Sequence, residues 1–285
     1  MKLFNFLLHS HIFISLGAVF LAVETQVQLG MHPQWHPYLF IIFFATLVDY
    51  NFHRLITMFA NREALNAEKH RWLRENRSLF FVIMGLSVLG FLVSILEAKR
   101  DVLIALTPIA FITLFYTLPL IKIKNSYFRL RDIPYLKIFL IASVWSMVTI
   151  FLPIIQTGLS YGKEHVALML TERFLFIFAI AIPFDIRDLN TDRELGLRTI
   201  PVLLGEKNAT RLASFSLLLF SLICLGHYGY YNLGFLLPAY IFSAITTILI
   251  LHSSKLRKLP FYYLGILDGT LLMKGLLVYF CFLLK

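Results

Sequence analysis

The sequence predicts an all-α integral membrane protein: a bundle of nine transmembrane helices forming one polytopic domain over residues 1–285. Three observations carry this. Hydrophobic residues make up 59% of the chain and charged ones only 15%, against roughly 25% charged in a soluble domain. The apolar residues fall into runs close to the roughly 20 residues that a bilayer-spanning helix requires. The cations between those runs crowd into alternate loops. Lipid offers no partner to an open backbone group, so every run must be helical.

The first run, near 3–23, follows Lys2 and could be taken for a signal peptide, but His9 and His11 interrupt it and no A-x-A site follows. It is therefore read as a retained helix. The second, near 38–60, contains Val48-Asp49-Tyr50-Asn51-Phe52-His53-Arg54. Spans three to six are expected near 78–96, 102–121, 134–156 and 165–184, and the last three near 211–227, 233–252 and 261–284. Cys224 and Cys281 both fall inside spans, too few for a disulfide framework or a metal knuckle.

The net charge is +10. Most of the Lys and Arg residues lie in the loops after spans two, four, six and eight, including Arg54, Arg62, Lys69, Lys122, Lys124, Arg131, Lys137, Arg187, Arg198 and Arg257. Under the positive-inside rule this predicts a cytoplasmic N-terminus and an external C-terminus, in a multi-pass protein of a bacterial inner membrane. The basic patches then serve topology and anionic headgroups, and nucleic acid is not an expected partner.

Acidic residues are concentrated in one place, Phe184 to Gly205. Asp185, Asp188 and Asp192 stand at i, i+3 and i+7, which on a helix puts three carboxylates on one face. Like charges so placed repel by roughly 1 kcal/mol in water and several-fold more near a low-dielectric interior, so a cation is expected among them. Oxygen-only ligands at a membrane edge suit Mg²⁺ shared with a phosphate. A plainer reading is a solvated face neutralised by Arg187, Arg193 and Arg198. The compact segment that follows, Gly196-Leu-Arg198-Thr199-Ile-Pro201-Val202-Leu-Leu-Gly205, adds a guanidinium suited to phosphate oxygens.

This order, D-x-x-D-x-x-x-D and then G-x-R-T-x-P-V-x-x-G, resembles the second aspartate-rich motif of the UbiA superfamily of intramembrane prenyltransferases. Tyr116-Thr-Leu-Pro119-Leu-Ile-Lys122 resembles the Tyr, Pro and Lys that members carry at the end of helix four. The resemblance implies an enzyme moving an isoprenyl group from its diphosphate to an apolar, aromatic or lipidic acceptor, with Mg²⁺ held by Asp185, Asp188 and Asp192 on the cytoplasmic side. It further implies diphosphate contacts from Arg198, Lys122 and Tyr116 and an opposite wall on helix two, where Arg54 is either a further diphosphate contact or an interfacial anchor. There the sequence departs from the family's N-D-x-x-D-x-x-x-D: counting from Asp49, Phe52 and Ile56 occupy the later acid positions. Asp49, Asn51 and His53 are the expected catalytic group, with cationic side chains replacing a second metal. The alternative is a protein that keeps the fold and binds isoprenoid lipid without turnover; a transporter would need paired broken helices, which the chain lacks.

Other polar residues complete the expectations. Asp268 and Lys274 are ionisable groups in the last span and site candidates by default; six apart, they face different sides and do not pair. Glu172 and Arg173 are expected at the outer edge, Lys137 as a topology anchor at the start of helix five, and His32 with His36 as a weak metal spacing.

Overall fold

The structure, a computed structural model, describes residues 2–60, 71–118, 120–123, 126–194 and 196–285. Arg62, Lys69 and Lys124 of the cationic loops, Pro119 of the helix-four motif and the side chain of Lys122 lie outside what is described. The helices run in the order α1 (Lys2–His9), α2 (Ile12–Gln28), α3 (Pro37–Ala60), α4 (Arg71–Glu75), α5 (Arg77–Leu96) and α6 (Arg100–Thr117). A short antiparallel hairpin follows, β1 (Ile121–Ile123) and β2 (Ser126–Phe128), then a 3₁₀ turn at Leu130–Asp132. Next come α7 (Leu136–Thr157), α8 (Lys163–Arg187), α9 (Leu189–Glu194), α10 (Ile200–Tyr230), α11 (Leu237–His252) and α12 (Ser254–Arg257). A π turn at Tyr262–Leu267 leads into α13 (Asp268–Leu283). Among the described residues, eight helices are long and apolar enough to cross a membrane, and α1 with α2, bent by 70°, makes a ninth if counted as one span.

The sequence-based boundaries miss where polar side chains or glycines interrupt a helix. The first span breaks at His11, whose φ of 64° lies in the left-handed region, and then continues to Gln28. Asn51 on α3 holds this break: its Nδ2 donates to the Ser10 and Leu47 carbonyls at 3.2 and 2.8 Å, and its Oδ1 lies 3.2 Å from His11 Nδ1. Span seven begins at Ile200, eleven residues before the expected start, because Pro201 suits a first helical turn. Gly205, at φ 77° and ψ 162°, then breaks that turn from the rest of α10.

Helix α2 packs against α3, α7 and α13, while α8 packs between α7 and α10. Small residues set the spacing, as expected where lipid removes most of the hydrophobic drive for helix association. Ala142, Ala179, Ala209 and Ala213 are fully buried. Gly275 lets α13 lie against α2 so closely that a Cβ there would meet the Phe20 carbonyl oxygen at 2.7 Å. Helices α5 and α6 turn Leu86, Leu89, Leu92, Ile104 and Phe111 outward, as lipid-facing surfaces do.

Deep between α2, α7, α8, α10 and α13 lies a polar network that composition did not suggest. Lys274 Nζ bonds both Glu24 oxygens at 2.6 Å, and Arg173 Nη2 reaches Glu24 Oε1 at 3.2 Å. Arg173 also donates to the Leu21 carbonyl, Thr149 Oγ1, Thr25 Oγ1 and Gln28 Oε1 at 2.7–3.1 Å. Beside it, Glu172 takes His227 Nδ1 at 2.6 Å and the Tyr228 hydroxyl at 2.7 Å. Glu172 and Arg173 are thus core residues, 2% and 1% exposed, and the outer-edge expectation is corrected. Lys274 does not pair with Asp268, as the spacing predicts; its partner, Glu24, was hidden because the first span runs past residue 23.

Candidate active site

The carboxylates sit where α8 gives way to α9. Helix α8 ends at Arg187 and Asp188 is its C-cap, so the acid face is not one uninterrupted helix. The path nonetheless stays helical in pitch, since the Asp192 amide donates to the Asp188 carbonyl at 2.8 Å, and the three carboxylates act on one another electrostatically. Each has a different environment. Asp185, 2% exposed, takes Lys137 Nζ of α7 on Oδ1 at 2.5 Å. Asp188 is gripped by Arg187 through Nε and Nη2 at 3.0 and 2.9 Å. Asp192 is buried, which pushes its carboxyl above the ordinary range against the pull of Lys137. Thr199 neighbours it, yet among the described residues neither Asp192 Oδ2 nor Thr199 Oγ1 completes a hydrogen bond.

The cations arrive from the loop between α6 and α7. Arg129 clamps Asp132 bidentately, through Nε and Nη2 at 2.9 Å, and this closes the 3₁₀ turn that aims Arg131. Arg131 Nη1 lies 2.7 Å from His53 Nε2 on α3, so one guanidinium joins the two walls. The Tyr135 amide donates to the Arg198 carbonyl at 2.9 Å, locking this loop to the Gly196–Thr199 segment. Arg131, Lys137, Asp185, Arg198 and Thr199 thereby line a single small pocket. Tyr116, at the end of α6, lies among the charges of Lys137, Arg131, Asp185 and Asp49.

Several expected residues therefore converge: Asp185, Asp188, Asp192, Arg198, Tyr116, Asp49 and His53. Two do not. Asn51 is fully buried against the α1–α2 break, and Arg54 donates to the His9 carbonyl at 2.5 Å and lies 3.1 Å from His11 Nε2. Both hold the bent first span, and their sequence-based assignment to catalysis and to diphosphate is at odds with these bonds. Lys122 lies on β1. Lys137 and Arg131 are the members that sequence reading treated as topology anchors; their rank in the site depends on contacts with residues 48 and 78 positions away. Among the described residues, no three His, Cys, Asp or Glu side chains converge closely enough to chelate an ion. Lys137 holds Asp185, while His32 meets Phe282 edge to face and His36 stacks on Tyr38.

Such a bundle, with basic and acidic side chains gathered at one end of apolar helices, defines a polytopic integral membrane protein. The model of the UbiA prenyltransferase family matches residues 73–260, and the chain belongs to that family. Among solved structures, a UbiA homolog from Aeropyrum pernix K1 in its apo form is 15% identical, with 96% of this chain and 97% of that chain covered and a TM-score of 0.64. A UbiA homolog from Archaeoglobus fulgidus bound to DMAPP and Mg²⁺ is 14% identical, with 95% and 98% covered and a TM-score of 0.61. A structure of digeranylgeranylglyceryl phosphate synthase in membranes is 15% identical, with 99% and 98% covered and a TM-score of 0.53. At these identities the likeness is one of fold. A search of curated proteins finds no match.

Proposed function

We propose that the chain is a Mg²⁺-dependent membrane prenyltransferase, moving an isoprenyl group from an isoprenyl diphosphate to an apolar, aromatic or lipidic acceptor. The observation that carries this is the pocket at the end of α8, which Arg131, Lys137 and Arg198 line with Asp185, Lys137 and Arg131 also acting on Asp192. A UbiA homolog from Archaeoglobus fulgidus bound to GPP and Mg²⁺ shares the fold and supports the same reading. The distribution of cations supports a site on the cytoplasmic face.

The donor set fits one Mg²⁺ better than two. Asp188 and Asp192 would hold it, the latter with a buried oxygen lacking a partner among the described residues. Asp185 joins them electrostatically but is already neutralised by Lys137. Bound there, the ion would offset the charge that develops on diphosphate as the allylic C–O bond ionises. A second ion on α3 does not fit, because Asp49 is the only carboxylate of that helix. Arg131, held against the His53 ring of that wall, brings its guanidinium charge there in place of the metal. Arg198 and Lys137 then orient the diphosphate, and the aromatic rings and apolar helix faces above them exclude water from the carbocation.

The fold-only alternative, a protein that binds isoprenoid lipid without turnover, draws support from Asn51 and Arg54 being committed to the α1–α2 break. The two readings separate in one assay. The purified protein in lipid is given Mg²⁺ and labelled isoprenyl diphosphates, and diphosphate release and acceptor labelling are followed for wild type and Asp188→Ala. Turnover lost in the variant supports the enzyme; metal-dependent binding without turnover by wild type supports the binder.

A further inference from the structure

At the end of α8 opposite the aspartates, two buried histidines stand in one line of hydrogen bonds. His165 lies in the first turn of α8 beside the exposed Lys163 and Glu164, about 30 Å along the helix from Asp185 at 1.5 Å per residue. Its Nε2 is 3.1 Å from the carbonyl oxygen of Gln28, the last residue of α2, and its Nδ1 is 2.8 Å from Nε2 of His227 on α10. His227 Nδ1 is in turn 2.6 Å from Glu172 Oε1, while Glu172 Oε2 accepts the Tyr228 hydroxyl at 2.7 Å. The line ties α2, α8 and α10 together. The half-buried Tyr231 ring packs against both imidazoles, at 4.6 Å from His165 and 5.2 Å from His227.

Counting hydrogens along this line fixes its charge. The Gln28 carbonyl can only accept, so His165 Nε2 carries a hydrogen. A second hydrogen must lie between the two rings and a third between His227 and Glu172. Two neutral imidazoles bring only two. The line therefore holds one extra proton, either on an imidazole beside an ionised Glu172 or on Glu172 itself, and is neutral overall in both cases. Neutrality is what a buried site favours, and the C-terminus of α2 favours positive charge at His165. The other charges that face the line are committed: Glu24 of α2 is shared by Arg173 of α8 and Lys274 of α13. Cys224, Tyr228 and Tyr231 beside α10, and Tyr240 of α11 stacked on Tyr228, present thiol and phenol groups that are neutral where imidazole titrates.

We propose that His165, His227 and Glu172 form a latch, closed by a single proton and opened by acid, at the end of the bundle away from the aspartates. A second proton makes both rings imidazolium. His165 Nδ1 and His227 Nε2 then carry hydrogens that face each other across the 2.8 Å now bridged by one bond, and the start of α8 parts from the end of α10. The closed latch holds one extra proton. The open one has two free imidazoles that titrate near about pH 6.5, so it holds two extra protons well below that value and none well above. Opening is therefore rarest near about pH 6.5 and grows by up to about tenfold per pH unit as acid is added, and likewise as base is added. The latch lies beyond the prenyltransferase reading and stands without it.

The test is ring ¹⁵N NMR on the full-length, histidine-labelled protein in lipid nanodiscs, titrated from about pH 8 to about pH 5, the range in which imidazole changes charge. His165→Gln and His227→Gln assign the two rings, and the wild-type titration itself needs no variant. A scalar coupling across the His165–His227 bond is expected near about pH 6.5. It should fade toward the acid end as both rings take on imidazolium shifts. In Glu172→Gln, which removes the carboxylate that balances the extra proton, the coupled population near neutral pH should fall at least about tenfold, a change of one pH unit in the linkage above. Two rings that titrate independently with no coupling at any pH would overturn the proposal. So would a coupling that persists at the acid end, or one that Glu172→Gln leaves unchanged.

Discussion

Among single residues, Lys137 and Arg131 distinguish this site from a plain acidic face. Lys137 holds the buried Asp185, and removing one partner of a buried pair costs about 3–5 kcal/mol. Lys137 is itself 25% exposed, so about 2 kcal/mol is expected for Lys137→Met once solvent screening is allowed for. Thermal unfolding in detergent measures it, and Lys137→Met combined with Asp185→Asn should recover most of the loss. Arg131→Ala should weaken Mg²⁺-dependent binding of an isoprenyl thiodiphosphate at least tenfold, because it removes the charge that stands where a second metal would. Asn51→Ala should leave that binding within about threefold, since Asn51 serves the first span; a tenfold loss would return it to the site. The aspartates and Arg198 could be singled out in the sequence because their types and spacing carry chemistry by themselves, and Tyr116 only through the family motif it resembles. Arg131 was not, since a cation in a basic loop looks the same whether it faces headgroups or a neighbouring helix.

Whole helices were easier to read than their interruptions. Hydropathy locates an apolar run but is blind to what a polar side chain on another helix does to it, and the α1–α2 break depends on Asn51 and Arg54 of α3. Glu24 illustrates the cost of that blindness. The first span was expected to end at residue 23, so Glu24 fell just outside it, whereas it is the shared carboxylate of Lys274 and Arg173. Glu24→Gln leaves two buried cations without that partner and should destabilise the bundle by about 3–5 kcal/mol. Glu24→Asp, which keeps the charge, should cost distinctly less in the same unfolding measurement. The contact of α13 on α2 offers a second check at this scale. Gly275→Ala places a methyl against the Phe20 backbone, and overpacking of this kind costs typically 1–3 kcal/mol. Unchanged stability would mean that the two helices lie further apart than described.

Across the whole molecule, charge is arranged in two tiers. The tier where α8 meets α9 gathers acids, guanidiniums and an ammonium around one small pocket. The other tier, around Glu24 and Glu172, is closed: its carboxylates and cations satisfy one another and tie five helices together. Nine spans and the second aspartate-rich motif could be read from the sequence because each is local. The closed tier could not, since its members lie up to 250 residues apart. The central claim, that the open tier handles an isoprenyl diphosphate with Mg²⁺, is tested most directly by diphosphate release from labelled isoprenyl diphosphates by the purified protein in lipid. The account predicts release that requires Mg²⁺ and falls at least 100-fold in Asp188→Ala; release unaffected by chelation and by that substitution would contradict it.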